Sequence, residues 1–188
     1  MSTYADPSKA TVYQDGDAFR APAGTLLPAD LKAAALVTGT SPGVTWDAYG
    51  GLQKGLDVAP TQDVKEHNVF NKRDSAYGVT RGPRSERFKF RAVDRSKATL
   101  LTALEGGTIT EVGAASGVFE YERGDGEEFA FIWRAVDITA STFFYCPRVR
   151  LATPAPRNFT GEDLDGWEFE LLALTKVREF GTENPLVP

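Results

Sequence analysis

The sequence has one cysteine, one histidine and no long hydrophobic run among its 188 residues. Cys146 alone cannot form a disulfide within the chain, and no cluster of Cys and His is present that would hold a zinc ion. No apolar stretch approaches the roughly 20 residues of a membrane-spanning helix. The opening residues MSTYADPSKA lack the basic start and hydrophobic stretch of an export signal, so we expect folding in the cytoplasm. We predict no cofactor, no metal ion and no membrane segment.

The composition, 41% hydrophobic and 25% charged, is typical of a globular protein with one core. Residues 1–17 are polar and contain proline, which predicts a flexible arm, and residues 178–188 lack periodicity and are predicted to form a tail. The predicted single domain spans residues 18–177.

A change from a strand pattern to a helix pattern occurs between residues 87 and 107. Phe88 and Phe90 alternate with basic residues, which is the period of a half-buried strand. A helix over about residues 95–105 follows, because Leu101 and Leu104 fall on one face with Ala98 and Leu100. Asp94 or Ser96 can cap its start, and Gly106-Gly107 supplies a positive-φ stop. We expect the leucines to pack against a sheet, since so short a helix is marginal alone.

Most of the remaining chain has strand character. Residues 44–50 and 52–59 are predicted to pair as a hairpin around Gly50-Gly51, and residues 118–122 and 129–138 as a hairpin around the RGDG sequence at 123–126. Residues 129–136 are apolar on both faces, which predicts a central strand.

Two further strands are predicted near the end of the chain. In the strand at 142–151, Pro147 requires an edge position or a bulge because it has no N–H to donate. The strand at 167–177 alternates apolar and polar residues and is predicted to be the last. These patterns predict a mainly β fold with one flanking helix. The core residues we predict are Phe88, Phe90, Leu101, Leu104, Phe131, Trp133, Trp167, Phe169 and Leu171.

Residues 60–83 form a polar stretch that is unusual within a compact domain. We predict a projecting β-hairpin or a loop that becomes ordered on a partner, with its second half continuing into the strand that ends near Val93.

The net charge of −5 (21 basic residues, 26 acidic) is unevenly distributed. Residues 71–91 carry +5, whereas 105–128 contain seven acids and 162–170 contain five. These runs are either solvated strand faces or complementary surfaces on successive copies of the chain.

Several short motifs suggest chemistry, and each lacks a required part. Gly39–Gly43 matches the G-x-S-x-G motif around Ser41, with Asp57 and His67 following in hydrolase order, but Pro42 removes the N–H that an oxyanion hole needs. No calcium-loop spacing is present. The basic, aromatic-containing segment at 71–91 permits single-strand nucleic-acid binding, but the chain is acidic overall and has no helix-turn-helix or zinc-finger pattern.

The order of elements resembles the major tail tube proteins of long, non-contractile (siphovirus-type) bacteriophage tails. The resemblance covers about residues 18–177 and is carried by local sequences in order. These are APAGTLLPADL (21–31), GVTWDAYGGLQKGLDV (43–58), a long variable hairpin, FKFRAVDRSKATLLTAL (88–104), FEYERGDGEEFAFIWRAVDI (119–138), FFYCPRVRLATPAP (143–156) and WEFELLALTK (167–176).

The resemblance implies a β-sandwich or small barrel that forms hexameric rings, stacked head to tail as a tube in the virion tail. The subunit would be made in the host cytoplasm, would meet tape-measure, tail-terminator and baseplate proteins, and would let double-stranded DNA pass without binding it specifically. A mildly acidic lumen would repel that DNA.

In this interpretation the hairpin at about 60–87 and both termini make assembly contacts, and the candidate residues are Lys72, Arg73, Tyr77, Arg81, Arg84 and Arg87. The alternatives are a tail-terminator or head-tail joining ring protein and, more distantly, a serine hydrolase using Ser41.

Overall fold

The computed structural model describes residues 12–70, 75–136, 141–157, 159 and 161–182, and it is mainly β, with 52% strand and 4% helix. The strands are β1 (Asp15–Pro22), β2 (Asp47–Ala48), β3 (Leu52–His67), β4 (Gly78–Ala92), β5 (Thr108–Glu111), β6 (Phe119–Glu122), β7 (Phe129–Val136), β8 (Ser141–Leu151), β9 (Trp167–Ala173) and β10 (Arg178–Gly181); the helix is α1 (Lys97–Ala103). The predicted class, a β-sandwich or small barrel with one flanking helix, is confirmed.

One antiparallel sheet in the order β2-β1-β7-β8-β9-β4-β3 curls into a half-barrel. Strand β8 is shared along its length, because its first half pairs with β10 and its last three residues pair with β9. Strands β5 and β6 form a separate two-stranded sheet.

Strand β7 lies at the centre of the molecule and is buried on both faces, as predicted. Phe129, Phe131 and Trp133 point into the inner core, whereas Ala130 and Ile132 contact a second cluster covered by the loop between β1 and β2. Eight of the nine predicted core residues are buried, namely Phe88, Phe90, Leu104, Phe131, Trp133, Trp167, Phe169 and Leu171.

The ninth predicted core residue, Leu101, is only half-buried, so that prediction was wrong. Helix α1 turns Ala98, Thr99, Thr102 and Ala103 inward, and Leu101 lies to the side of this stripe. The threonines tolerate burial because their hydroxyl groups are bonded: Thr99 Oγ1 donates to the Tyr49 carbonyl at 3.1 Å, and Thr102 Oγ1 lies 2.8 Å from the Tyr49 hydroxyl.

The predicted ends of the helix are confirmed in outline. Ser96, one of the two predicted caps, accepts a hydrogen bond from Thr99 N at 3.2 Å. Gly106 has φ +81°, as the predicted stop requires, and Glu105 before it also has positive φ.

Two predicted hairpins are wrong because their strands pair elsewhere. Strand β2 pairs with β1, and β3 pairs with β4, so Gly50-Gly51 connects two strands that do not form a hairpin. Strand β6 pairs with β5, and β7 lies between β1 and β8. The glycines of the RGDG sequence serve another purpose: Gly124 N donates to Leu104 O at 2.8 Å and Gly126 N to Glu105 O at 3.2 Å. They let this segment pass close under the end of α1.

The long hairpin predicted from residue 60 onward is present as β3 and β4. Pro147 lies at the predicted irregularity, since Cys146 and Val149 of β8 face Phe131 and Phe129 with one extra residue between them.

The ends of the chain differ from the prediction. Strand β1 begins at Asp15, inside the predicted arm, and β10 occupies Arg178–Gly181, where a structureless tail was predicted. Four residues of β10 are too few to show a period. The rest of the predicted arm up to residue 11, and residues 183–188 of the tail, lie outside the described residues.

Candidate assembly surfaces

The outer parts of β3 and β4 project from the body as a two-stranded ribbon. Only residues 87–92 of β4 pair with β9, so Pro60–His67 and Gly78–Glu86 pair with each other alone. We call these two segments the ribbon. At about 3.3 Å per residue the ribbon extends roughly 25 Å. An isolated two-stranded hairpin is marginal in water, and the ribbon therefore lacks the support that the rest of the sheet has.

One side of the ribbon carries an exposed apolar patch. Val64 faces Arg81 across the ladder and Glu66 faces Val79, so these four side chains share a side, which we call the ribbon face. Val64, Val79 and the adjacent Tyr77 are 53–70% exposed. The opposite side is polar, and there His67 Nε2 lies 2.8 Å from Thr80 Oγ1.

The basic run predicted for assembly is divided by the structure. Arg87 donates to Glu170 at 2.6 Å and Lys89 lies 3.5 Å from the same carboxylate, while Arg91 binds Asp163 at 2.8 Å. The Arg87 hydrogen bond lowers the pKa of Glu170, and the Arg91 hydrogen bond lowers that of Asp163. These three bases are therefore paired with acids of the body.

The remaining predicted assembly residues belong to the ribbon and its tip. Arg84 is exposed and pairs with Glu86 at 3.1 Å, and Tyr77 is exposed. Arg81 is exposed and has no ion pair with any described residue. Lys72 and Arg73 lie outside the described residues. Among the described bases of the predicted set, Arg81 is therefore the exposed one without an ion pair.

The acidic run at 162–170 is largely used within the chain. Asp165 binds Arg157 and lies 3.2 Å from Arg95, and the Arg157 hydrogen bond lowers the pKa of Asp165 to about 2. The Arg157 guanidinium also stacks 4.3 Å from the ring of Trp167. This loop is clamped to the body, and it is not a free acidic surface.

The second projecting element is the hairpin of β5 and β6, which we call the acidic hairpin (Thr108–Glu122). It contains three glutamates and no base. Ile109 faces Tyr121 and Glu111 faces Phe119, so these four share one side, which we call the hairpin face. The large apolar side chains of the hairpin, including Val112 and Val118 at its tip, are 43–60% exposed.

Two glycines position the acidic hairpin below the helix. The backbones of residues 107 and 124 run so close together that a Cβ at Gly107 would lie 1.8 Å from Glu122 O, and one at Gly124 would lie 2.6 Å from Glu105 O. Any side chain at either position would force the two segments apart. The sequence predicts Gly107 as part of the helix stop and Gly124 as part of a hairpin turn, and it does not indicate this contact.

The half-barrel is open along one side. A groove of about 1000 Å³ lies between β1 and β3, with Trp133 and Phe144 among the side chains that line it. Strand β2 pairs with only two residues of β1, and β3 has a neighbour on one side alone in the described part of the chain. Both borders of the groove therefore present unpaired strand edges, which proteins normally cover.

A buried polar network that the sequence did not indicate joins the helix to the sheet. Arg20 is buried, donates to Thr102 Oγ1 at 3.0 Å and forms an ion pair with Glu127. Thr102 also contacts the Tyr49 hydroxyl, and burial raises the pKa of Tyr49 to about 12. The network positions α1 against the sheet, and its members are distant in sequence, so no local pattern could reveal them.

The residues of the hydrolase motif are not brought together. Asp57 and His67 lie on the same strand, ten positions apart, which separates them by roughly 30 Å. His67 is bonded to Thr80, and Ser41 is exposed in the loop between β1 and β2.

Among the described residues there is no group of three or more His, Cys, Asp or Glu arranged to hold a metal ion. No helix in the described part of the chain is long and apolar enough to cross a membrane.

Comparison with protein-family models and with curated proteins finds no match to this chain.

Proposed function

We propose that this protein is a structural subunit that self-assembles into stacked hexameric rings, forming the tail tube of a long-tailed bacteriophage. The ribbon supports this proposal most strongly, because it extends roughly 25 Å with apolar side chains exposed and no contact partner in the sheet. A monomer gains nothing from such an element, whereas a subunit in a ring or stack can bury it.

The open half-barrel supports the same proposal. Unpaired edges on β1 and β3 expose backbone groups that another copy can satisfy. An assembly built by strand pairing and ribbon contacts would enclose a channel for genome ejection.

The proposal that the assembly is a phage tail tube comes from the resemblance to tail tube proteins over residues 18–177, in the order of the elements and in local sequence. On that basis the tape-measure, tail-terminator and baseplate proteins are the proposed partners, and the virion tail is the proposed location. Double-stranded DNA would pass without specific binding.

Purified protein should be concentrated and imaged by negative-stain electron microscopy. Filaments of uniform diameter with a central channel are the expected result. Isolated rings that do not stack would instead favour a terminator or head-tail joining protein. Monomers at every concentration would contradict self-assembly. Stoichiometric labelling by a serine-directed fluorophosphonate, lost in Ser41→Ala, would favour the hydrolase.

A further inference from the structure

We infer that the acidic hairpin of one copy is the surface that receives the ribbon of the next. This inference rests on the proposed function, since it names the partner for the ribbon in a self-assembling chain. The two elements are two-stranded ribbons of the described structure that do not pair along their length with the rest of the half-barrel sheet. At the base of the acidic hairpin, Tyr121 lines a pocket with Leu104, Arg157 and Trp167 of the body.

The two faces match in size and chemistry. The ribbon face has two valines, with Tyr77 beside it, and the hairpin face has Ile109, Phe119 and Tyr121. Each apolar set spans two cross-strand pairs, and each is about half exposed or more. Burying one against the other would remove Val64, Val79 and Tyr77 of one copy and Ile109, Phe119 and Tyr121 of the next from water.

The two faces offer one complementary pair of charges. The ribbon face carries Arg81 together with Glu66, and Glu111 is the charged residue of the hairpin face. The ribbon with its tip (60–86) has five bases and four acids, against three acids and no base in the acidic hairpin. Glu111 accepts one hydrogen bond from Gly117 N at 3.0 Å through Oε1, which leaves Oε2 for a guanidinium.

The acidic run at 162–170 is a weaker candidate, because three of its five acids are engaged within the chain. Asp163, Asp165 and Glu170 already bind bases of their own chain. Exposed large apolar side chains outside the two elements are dispersed over loops and strand ends: Val12, Tyr13, Leu26, Val37, Phe70, Phe159, Leu164 and Leu174. Because the ribbon face and the hairpin face are different surfaces, their contact is heterologous and propagates from copy to copy.

Charge exchange between the two faces tests this contact. Arg81→Glu and Glu111→Arg, each alone, should raise the protein concentration needed for assembly by about tenfold or more, because each places like charges together in a desolvated contact. The double variant in one chain should assemble near the wild-type concentration. An equimolar mixture of the single variants should also assemble, since every ribbon then finds a face of opposite charge.

Lys32→Glu and Glu162→Arg, which reverse exposed charges outside both faces, are the matched controls and should assemble as wild type does. Assembly of both single variants at the wild-type concentration, or failure of the double variant and the mixture to recover, would overturn this contact while leaving self-assembly intact. A wild-type protein that never assembles would overturn the proposed function and this inference together.

Discussion

Arg87 donates a hydrogen bond from Nη1 to Oε1 of Glu170 at 2.6 Å, which joins β4 to β9 where the ribbon leaves the body. On the body side of this contact, Lys89 and Arg91 of the same strand are also paired within the chain. On the ribbon side Arg81 remains accessible. The boundary between the bases paired within the body and the proposed assembly residues therefore lies near residue 87.

Arg87→Glu should destabilise the monomer, and Arg81→Glu should not. We expect a loss of about 0.5–1 kcal/mol in the free energy of unfolding for Arg87→Glu, a modest value because the guanidinium is partly exposed to solvent. Urea denaturation of both variants measures the difference. Equal unfolding midpoints for the two would show that the Arg87–Glu170 pair does not stabilise the body.

Leu101 and Leu171 should respond very differently to truncation. Leu171 is fully buried in the inner core, so Leu171→Ala should cost about 2–5 kcal/mol. Leu101 lies at the side of the helix, and Leu101→Ala should cost less than about 1.5 kcal/mol. Denaturant unfolding of the two variants gives both values, and a larger loss for Leu101→Ala would mean that the helix faces the sheet differently.

Alkaline pH should weaken the wild-type protein through Tyr49. Burial raises the pKa of Tyr49 to about 12, whereas an unfolded tyrosine ionises near pH 10. Between these values the unfolded state has lost the proton and the folded state keeps it, so stability falls by about 1.4 kcal/mol per pH unit. Tyr49→Phe should remove this part of the loss and cost about 1 kcal/mol at neutral pH. Unfolding midpoints at pH 8 and 11, measured for the wild type and for Tyr49→Phe, test this prediction. Equal losses of stability in the two proteins would contradict the role of Tyr49.

Acid should release the loop that precedes β9. The Arg157 hydrogen bond lowers the pKa of Asp165 from 3.8 to about 2, so this contact contributes fully above pH 3.8 and is lost as the pH falls toward 2. Asp165→Asn should therefore flatten the pH dependence of the unfolding midpoint between pH 4 and 2. Glu162→Gln, which changes an exposed acid of the same loop, is the control. If both variants follow the wild-type curve, the clamp has no energetic role.

The sequence predicted the parts of the fold that depend on local pattern. The alternation around Phe88 and Phe90, the doubly buried β7 and the Ser96 cap all depend on residues close in sequence, and the structure has them as predicted. Strand pairing depends on residues far apart. The two wrong hairpins arose because glycines at 50–51 and 124–126 resemble turn signals. A Cβ at Gly50 or Gly51 would instead meet the side chain of Asp94, and one at Gly124 would meet the backbone of Glu105.

The candidate surface was predictable only in part. A long polar segment indicated a projecting hairpin, but the net charge of residues 71–91 concealed which bases are paired. The partners of Arg87 and Arg91 come from residues 163–170, more than 70 positions away. Only the structure shows that Arg87 and Arg91 have acidic partners in the body and that Arg81 has none among the described residues.

The proposed role of the ribbon is contact between copies of the chain. A variant without the ribbon can test this role, because Pro60 and Glu86 are register partners and an Asn-Gly turn can join them in place of residues 61–85. This variant keeps the pairing of β4 with β9, so its monomer should fold and unfold as wild type does.

Sedimentation velocity across a concentration series is the most direct measurement. We predict that the wild-type protein forms large assemblies with rising concentration and that the shortened variant stays monomeric at all of them. Assembly of the shortened variant at the wild-type concentration would contradict this role of the ribbon.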